Sequence, residues 1–329
     1  MRAFITGISG FVGGHLARVL ASLGDEVAGA NRQGAWPPDL VDAMRGLRIA
    51  APIAWDIADA PSEQVRRFLA DFRPDVVYHL AALSVPEDCG GAGSPTPQAI
   101  AINVEGTMRV AELIASLSTT SSGAMRGRPR LIFASSSHVY GAVEPARAVV
   151  AESAPRLGTS AYALTKRMAE EHLMEAAVAQ QLDVVIARAF KHVGTRQDAR
   201  LMPAEWAAQF AAGVVPVRIR CCDSLIDLTD VRDVCVAYRL LAERGVSGQT
   251  YNVGSGVAQR SGDIFLRFRA LAKPGCPYVE THPGFRQEPI ADITRIRADT
   301  GWSPTLSLDD TLRSIWLAYG SSDANSLGP

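Results

Sequence analysis

The chain has 329 residues, enough for two ordinary domains or one large one, and too many to need disulfides or metals as staples. Apolar residues make up 47% and charged residues 20%, which excludes a disordered protein. With 33 Lys+Arg against 34 Asp+Glu there is no net positive field to gather nucleic acid or an anionic membrane, so neither partner is expected and any anion must be held locally.

The first apolar stretch is broken by Gly7, Ser9, Gly10, Gly13 and His15, and no uninterrupted apolar run reaches the roughly 18 residues a membrane span needs. The cytoplasm is therefore the expected location. Five cysteines (Cys89, Cys221, Cys222, Cys235, Cys276) show neither CxxC nor zinc-finger spacing, so reduced thiols and no metal site are expected.

In chain order, strand-length apolar runs at Arg2–Thr6, Glu26–Asn31, Ile49–Trp55, Asp75–Leu80, Arg130–Ser135 and Asp183–Arg188 alternate with helical periods at Val12–Leu23, Ser62–Phe72, Gln98–Leu117 and Ala161–Gln180. That alternation predicts an α/β fold, a Rossmann-type doubly wound parallel sheet. The Ser-, Thr- and Gly-rich stretch Ser118–Pro129 reads as a surface loop. Beyond Arg188 the alternation turns irregular under repeated prolines, which suggests a smaller substrate lobe. Helix Val231–Arg244 and strand Thr250–Val253 return to the main sheet. The expected division is 1–188 with about 231–262 for the dinucleotide, and about 189–230 with 263–320 for the substrate, followed by a frayed tail from Gly320.

Between the first strand and the first helix runs Thr6-Gly7-Ile8-Ser9-Gly10-Phe11-Val12-Gly13. Its glycines allow a tight turn and close approach of a pyrophosphate, which the helix N-terminus then faces. The second strand ends in Asn31-Arg32 instead of an acid. Nothing there repels a 2′-phosphate, and an Arg can pair with it, so NADP(H) is preferred, with NAD(H) as the alternative.

Tyr162 and Lys166 stand four residues apart on one helix face. A nearby ammonium is expected to favour the phenolate, so that Tyr162 exchanges a proton with a carbonyl or hydroxyl oxygen. Upstream, a buried strand ends in Ser135-Ser136-Ser137-His138, at the carboxyl edge where open α/β sheets carry their sites.

The order glycine turn, strand-terminal serines, YxxxK resembles the extended short-chain dehydrogenase/reductase (epimerase/dehydratase) family over nearly the whole chain. Further similarity lies in His79-Leu80-Ala81-Ala82, Asn103-Val-Glu-Gly106-Thr107, Asp56-Ile57 and Thr300-Gly301-Trp302-Ser-Pro304. The resemblance implies Ser136, Tyr162 and Lys166 as catalytic residues, with Lys166 also holding the nicotinamide ribose. It implies cofactor contacts from Gly7, Gly10, Phe11, Val12, Gly13, Asn31, Arg32, Asp56, Ile57, Leu80, Ala81, Ala82, Ala189 and His192. For the substrate it implies Ser84, Ser136, Ser137, Lys191, Arg220 and Arg286, and it implies a homodimer through a four-helix bundle.

Within the family, dehydratases place a Glu, often paired with Asp, after the catalytic hydroxyl, whereas this chain has Ser137-His138. Reduction or 4-epimerisation of a nucleotide sugar remains. Arg188-Ala-Phe190-Lys191-His192-Val-Gly194-Thr-Arg-Gln197 is similar to a segment of GDP-4-keto-6-deoxy-D-mannose reductases, and that resemblance favours reduction. Lys191 replaces an Asn there, Ala189 a Pro, and Ile226 an Arg that many relatives use on the pyrophosphate. Lys191, Arg218, Arg220 or Arg286 would have to compensate. A non-catalytic dinucleotide-binding module is the remaining alternative.

Overall fold

The computed structural model describes residues 1–117, 129–180 and 182–320. The expected Ser118–Pro129 loop and the terminal tail fall outside them, but for Pro129 and Gly320. Seven parallel strands form the main sheet, in the order Thr250–Val253, Val184–Ala189, Arg130–Ser136, Val76–His79, Arg2–Thr6, Glu26–Asn31, Ile53–Ala54. This is the doubly wound α/β arrangement, with the order reversing between the first and fourth strands in sequence, where Thr6 lies in register with His79.

Strand periodicity explains the two cores. On one face Ala3, Ile5, Val76, Tyr78, Ile132 and Val185 pack under helices Phe11–Ser22 and Val231–Arg244. On the other, Phe4, Val77, Leu131, Phe133, Val184 and Ile186 pack against Glu63–Phe72, Gly106–Ser116 and Ala161–Gln180. Ser62 caps its helix by accepting from the Val65 amide, as a Ser before an amphipathic run should.

Two expected elements come out differently. Ile49–Trp55 holds only the short strand Ile53–Ala54, with Ile49 making one isolated bridge to Val27, because Pro52 has no amide to donate. The expected helix Gln98–Leu117 is interrupted: Pro97–Ile100 passes into a π-helical turn, Ala101–Glu105, before Gly106–Ser116 resumes. The Gly106 amide reaches back to the Ala101 carbonyl, and the Thr107 hydroxyl satisfies the carbonyl of Asn103 at 2.8 Å.

Beyond the main sheet, Ser224–Asp230 pairs with Ala258–Arg260, Arg286–Gln287 and Lys191–Val193. A third apolar core, with Trp206, Phe210, Phe265, Phe268 and Ile226, lies behind it. Ile226 is thus a core residue and offers no polar contact to an anion. The strand Lys191–Val193 follows directly on the sheet strand Val184–Ala189, which brings this second region to the carboxyl edge where the serines end.

Candidate active site

The glycine turn is close-packed in a way only glycine allows. Gly7 adopts φ +70°, and a side chain there would meet Ala81 at 2.9 Å. A Cβ on Gly13 would fall 2.2 Å from the Gly7 carbonyl. Gly10 and Gly13 thus pack on the Gly7 carbonyl, and Gly7 on Ala81 of the Leu80–Ala82 segment, with Phe11 and Val12 opening the helix between them. That segment is held by the Thr6 hydroxyl, which accepts from the amides of Leu80 and Ala81 at 3.2 and 3.3 Å.

Behind that turn runs a directed chain. Thr107 donates to the Asn103 carbonyl, so its oxygen accepts from His79 Nε2 at 2.9 Å, while Nδ1 accepts from Thr6 at 2.7 Å. Burial, with Lys166 adding to it, holds His79 down at about 3, so the imidazole stays neutral and the chain keeps its direction. The interrupted helix also gives Asn103 its place. Its carboxamide accepts from the Leu83 amide at 2.8 Å and donates to Thr165 at 3.1 Å, tying the loop after the fourth strand to the helix of Tyr162.

The expected cofactor contacts divide. Asn31 is spent on its own loop, accepting from Gly34 and donating to Ala35, which leaves the exposed Arg32 as the polar group of that pair. Among the described residues Arg32 has no ion pair. Asp56 accepts from the Ala58 amide, and Ile57 is buried beside Gly106. His192 stacks on Phe11 with ring centroids 5.9 Å apart, its Nδ1 donating to the Phe190 carbonyl, and Ala189 is buried.

The three serines take different duties. Ser135 donates to Glu170 at 2.5 Å, inside a buried network in which Arg188 gives Glu170 two hydrogen bonds and Tyr140 joins Arg188 to Asn252. Ser136 caps the tight turn Ser137–Tyr140 and lies close enough to Tyr162 to pull its pKa down. Ser137 is buried in that turn.

Glu170 lies one helical turn beyond Lys166, so its bond to Arg188 fixes the helix bearing Tyr162 and Lys166 against the strands Arg130–Ser136 and Val184–Ala189. Sequence reasoning missed this brace. The signal was a Glu at i+8 from Tyr162 and an Arg ending a buried strand.

The expected phenolate does not appear. Burial pushes Tyr162 up to about 12, against the pull of Ser136. The Lys166 ammonium, 5.9 Å from the Tyr162 ring centroid, donates to the Ala134 carbonyl at 2.8 Å. Burial lowers Lys166 to about 8. In a dry site desolvation of the phenolate outweighs a neighbouring charge already engaged elsewhere, so Tyr162 stays a phenol.

Of the expected substrate contacts, Lys191 is bound to Glu288 at 2.7 Å, both about one-third exposed. Ser84, Arg220 and Arg286 are exposed. Burial raises the Glu205 carboxyl against the pull of the nearby Arg220, and the Arg286 amide donates to the Asp223 carbonyl at 3.0 Å. Among the described residues no hydrogen bond, ion pair or ring contact joins Ser84, Arg220 or Arg286 to Tyr162. Glu288, the partner of Lys191, was not expected as a site residue.

Residues 3–254 match the model of the NAD dependent epimerase/dehydratase family. This chain belongs to that family. It is 27% identical to a GDP-6-deoxy-D-mannose reductase of Pseudomonas aeruginosa, over 95% of both chains. To a dTDP-glucose 4,6-dehydratase of Neisseria gonorrhoeae it is 26% identical, over 94% of this chain and 92% of that one. The structure of RMD from Pseudomonas aeruginosa complexed with NADPH superposes with a TM-score of 0.78 at 26% identity, covering 97% of this chain and 99% of that one. No helix among the described residues is long and apolar enough to cross a membrane, and none of their His, Cys, Asp and Glu clusters is fit to hold a metal ion.

Proposed function

We propose that the chain reduces a 4-keto-6-deoxy sugar nucleotide, of the GDP-4-keto-6-deoxy-D-mannose kind, with NADPH as the hydride source. One observation carries this reading: a buried Tyr162 whose phenol burial keeps protonated, in the same fold as a close-packed glycine turn. A nicotinamide dinucleotide fits, because the turn tolerates no side chain at Gly7 or Gly13 and the exposed Arg32, without an ion pair among the described residues, stands where a 2′-phosphate needs a cation. When bound, that group supplies the hydride. That the neighbouring Pseudomonas aeruginosa structure is a complex with NADPH supports the same choice.

The protein's own residues handle the oxygen. Ser136 orients the carbonyl by a hydrogen bond, and Tyr162 gives its proton as negative charge develops there. Lys166, anchored on Ala134, favours the phenolate that remains and so lowers the cost of that transfer. A dehydratase reading, suggested by several relatives, lacks the carboxylate that the family resemblance implies for it: Ser137-His138 stand in its place. Lys191, Arg220 and Arg286 are the cations available to a pyrophosphate. The two-part division of the chain belongs to this proposal. So does a homodimer through Gly106–Ser116 and Ala161–Gln180, which carry the exposed Met108 and Val178.

The test is NADPH oxidation with a panel of 4-keto-6-deoxy sugar nucleotides. The expected result is one hydroxyl product per NADPH consumed. Interconversion of 4-hydroxyl epimers with no net NADPH use would replace this reading with a 4-epimerase, and binding of NADPH with no turnover of any sugar would replace it with a binding module.

A further inference from the structure

Tyr162 has a proton-carrying neighbour that reduction leaves idle. His138 sits two residues past Ser136, in the turn Ser137–Tyr140, and its amide donates to the Ser136 hydroxyl at 3.2 Å. That cap fixes the imidazole edge-on against Tyr162, ring centroids 5.4 Å apart and planes at 79°. Of the six histidines in the chain, His15, His79, His192 and His282 hydrogen-bond through the ring and His172 faces Glu175. Neither ring nitrogen of His138 has a hydrogen-bond partner among the described residues, and the residue keeps partial exposure.

The charged groups it faces are Lys191 and Glu288 from the second region and Glu87 from the turn Pro86–Cys89. Burial and Lys191 lower its pKa, with Glu288 and Glu87 opposing, so the ring is an unprotonated base at neutral pH. An imidazole that is only partly buried keeps its ring nitrogens accessible to a ligand. One left open between the phenol and the Lys191–Glu288 pair is placed to meet a substrate whose carbonyl is held by Tyr162.

We propose that His138 is a second catalytic base of this site, removing a proton from the ring carbon adjacent to the carbonyl that Tyr162 holds. The inference rests on the keto-sugar reading above. The C–H bond breaks and its proton passes to an imidazole nitrogen. The electron pair forms a carbon–carbon double bond, while the carbonyl π pair moves onto the oxygen, which Tyr162 and Ser136 hydrogen-bond. Return of a proton from the imidazolium to the same carbon restores the ketone. No oxidant or reductant is consumed. The hydrogen on that carbon thereby exchanges with solvent before reduction traps the product.

The experiment uses the whole protein in heavy water with a GDP-4-keto-6-deoxy-hexose. It is incubated first with NADP⁺ and then reduced by added NADPH, and deuterium in the product is read by mass and located by NMR. Wild type should place deuterium on a carbon flanking C4 well above the enzyme-free rate. His138→Gln should lower the ratio of exchange to reduction about 100-fold, the low end of what a general base contributes. His138→Glu, which restores a base of different shape, should recover part of the exchange, and it carries the test if the Gln variant does not fold. A purely structural role for the ring predicts no such recovery.

Wild-type product formed by NADPH oxidation but free of deuterium above background overturns the role of His138 and leaves the reductase reading standing. An unchanged ratio in His138→Gln, or no exchange at all in His138→Glu, overturns it equally. Absence of NADPH oxidation with every keto sugar overturns the reductase reading and the role of His138 with it.

Discussion

Toward the sheet, the helix that carries Tyr162 is tied down by a sealed polar network: Glu170 accepts from Ser135, Arg188 and Arg156, and Arg188 passes on through Tyr140 to Asn252. Toward the second region the polar groups are loose, with His138 making no ring hydrogen bond among the described residues, Lys191 and Glu288 paired but one-third exposed, and Arg286 solvent-facing. Both sides hold charge, yet only the first has the hydrogen bonds that make burial tolerable. Groups that build the site are satisfied within the protein, and groups left unsatisfied at its rim are the ones available to a ligand.

Glu170→Leu should have the largest effect on the comparison. It strands the buried Arg188, at a cost of about 3–5 kcal/mol, read from the urea midpoint. A loss under about 1 kcal/mol would mean the network is not the brace. Gly13→Ala comes next, since its Cβ has no room beside the Gly7 carbonyl; overpacking of about 1–3 kcal/mol should appear as a lower Tm together with weaker NADPH binding.

The pH profile sharpens the contrast at the phenol itself. In unliganded protein the difference in ultraviolet phenolate absorbance between wild type and Tyr162→Phe should stay flat past the ordinary tyrosine range and rise only toward about 12. Between the unfolded value of ~10 and that point the unfolded chain loses its proton first, so Tyr162 makes stability fall as pH rises. Lys166 acts in the opposite sense. Its folded value of about 8 lies below the unfolded ~10.4, so the unfolded chain binds more protons between them, and stability rises with pH across that window. The urea midpoint of wild type relative to Lys166→Met should trace that rise.

The smallest effect on stability belongs to the loose side. Lys191→Met should change it by no more than about 1 kcal/mol, because a pair this exposed gains little from its Coulomb attraction. The same variant should raise KM for the sugar nucleotide, measured by NADPH oxidation. An unchanged KM would remove Lys191 from the substrate site.

The strand runs and the glycine turn were legible because each is local: period-two apolar residues make a strand, and a turn without room for Cβ makes a Gly. The break at Ala101–Glu105 was not, since a π turn keeps a helical apolar period and is set by Thr107 and Asn103, whose partners lie elsewhere in the fold. The acidity of Tyr162 was misjudged for a related reason. Spacing alone puts Lys166 beside it, but whether burial outweighs that charge depends on Phe133, Ala134 and Ser136 closing around both. Asn31 reads as a cofactor contact until its loop is seen to use both ends of the carboxamide.

The most direct test is the rate of NADPH oxidation by wild type and by Tyr162→Phe with a GDP-4-keto-6-deoxy-hexose, with NADPH affinity measured in parallel. A phenol that delivers the proton predicts a fall in kcat of about 10³-fold, within the range for a lost general acid, at unchanged NADPH affinity. A kcat for Tyr162→Phe within a few-fold of wild type would contradict it.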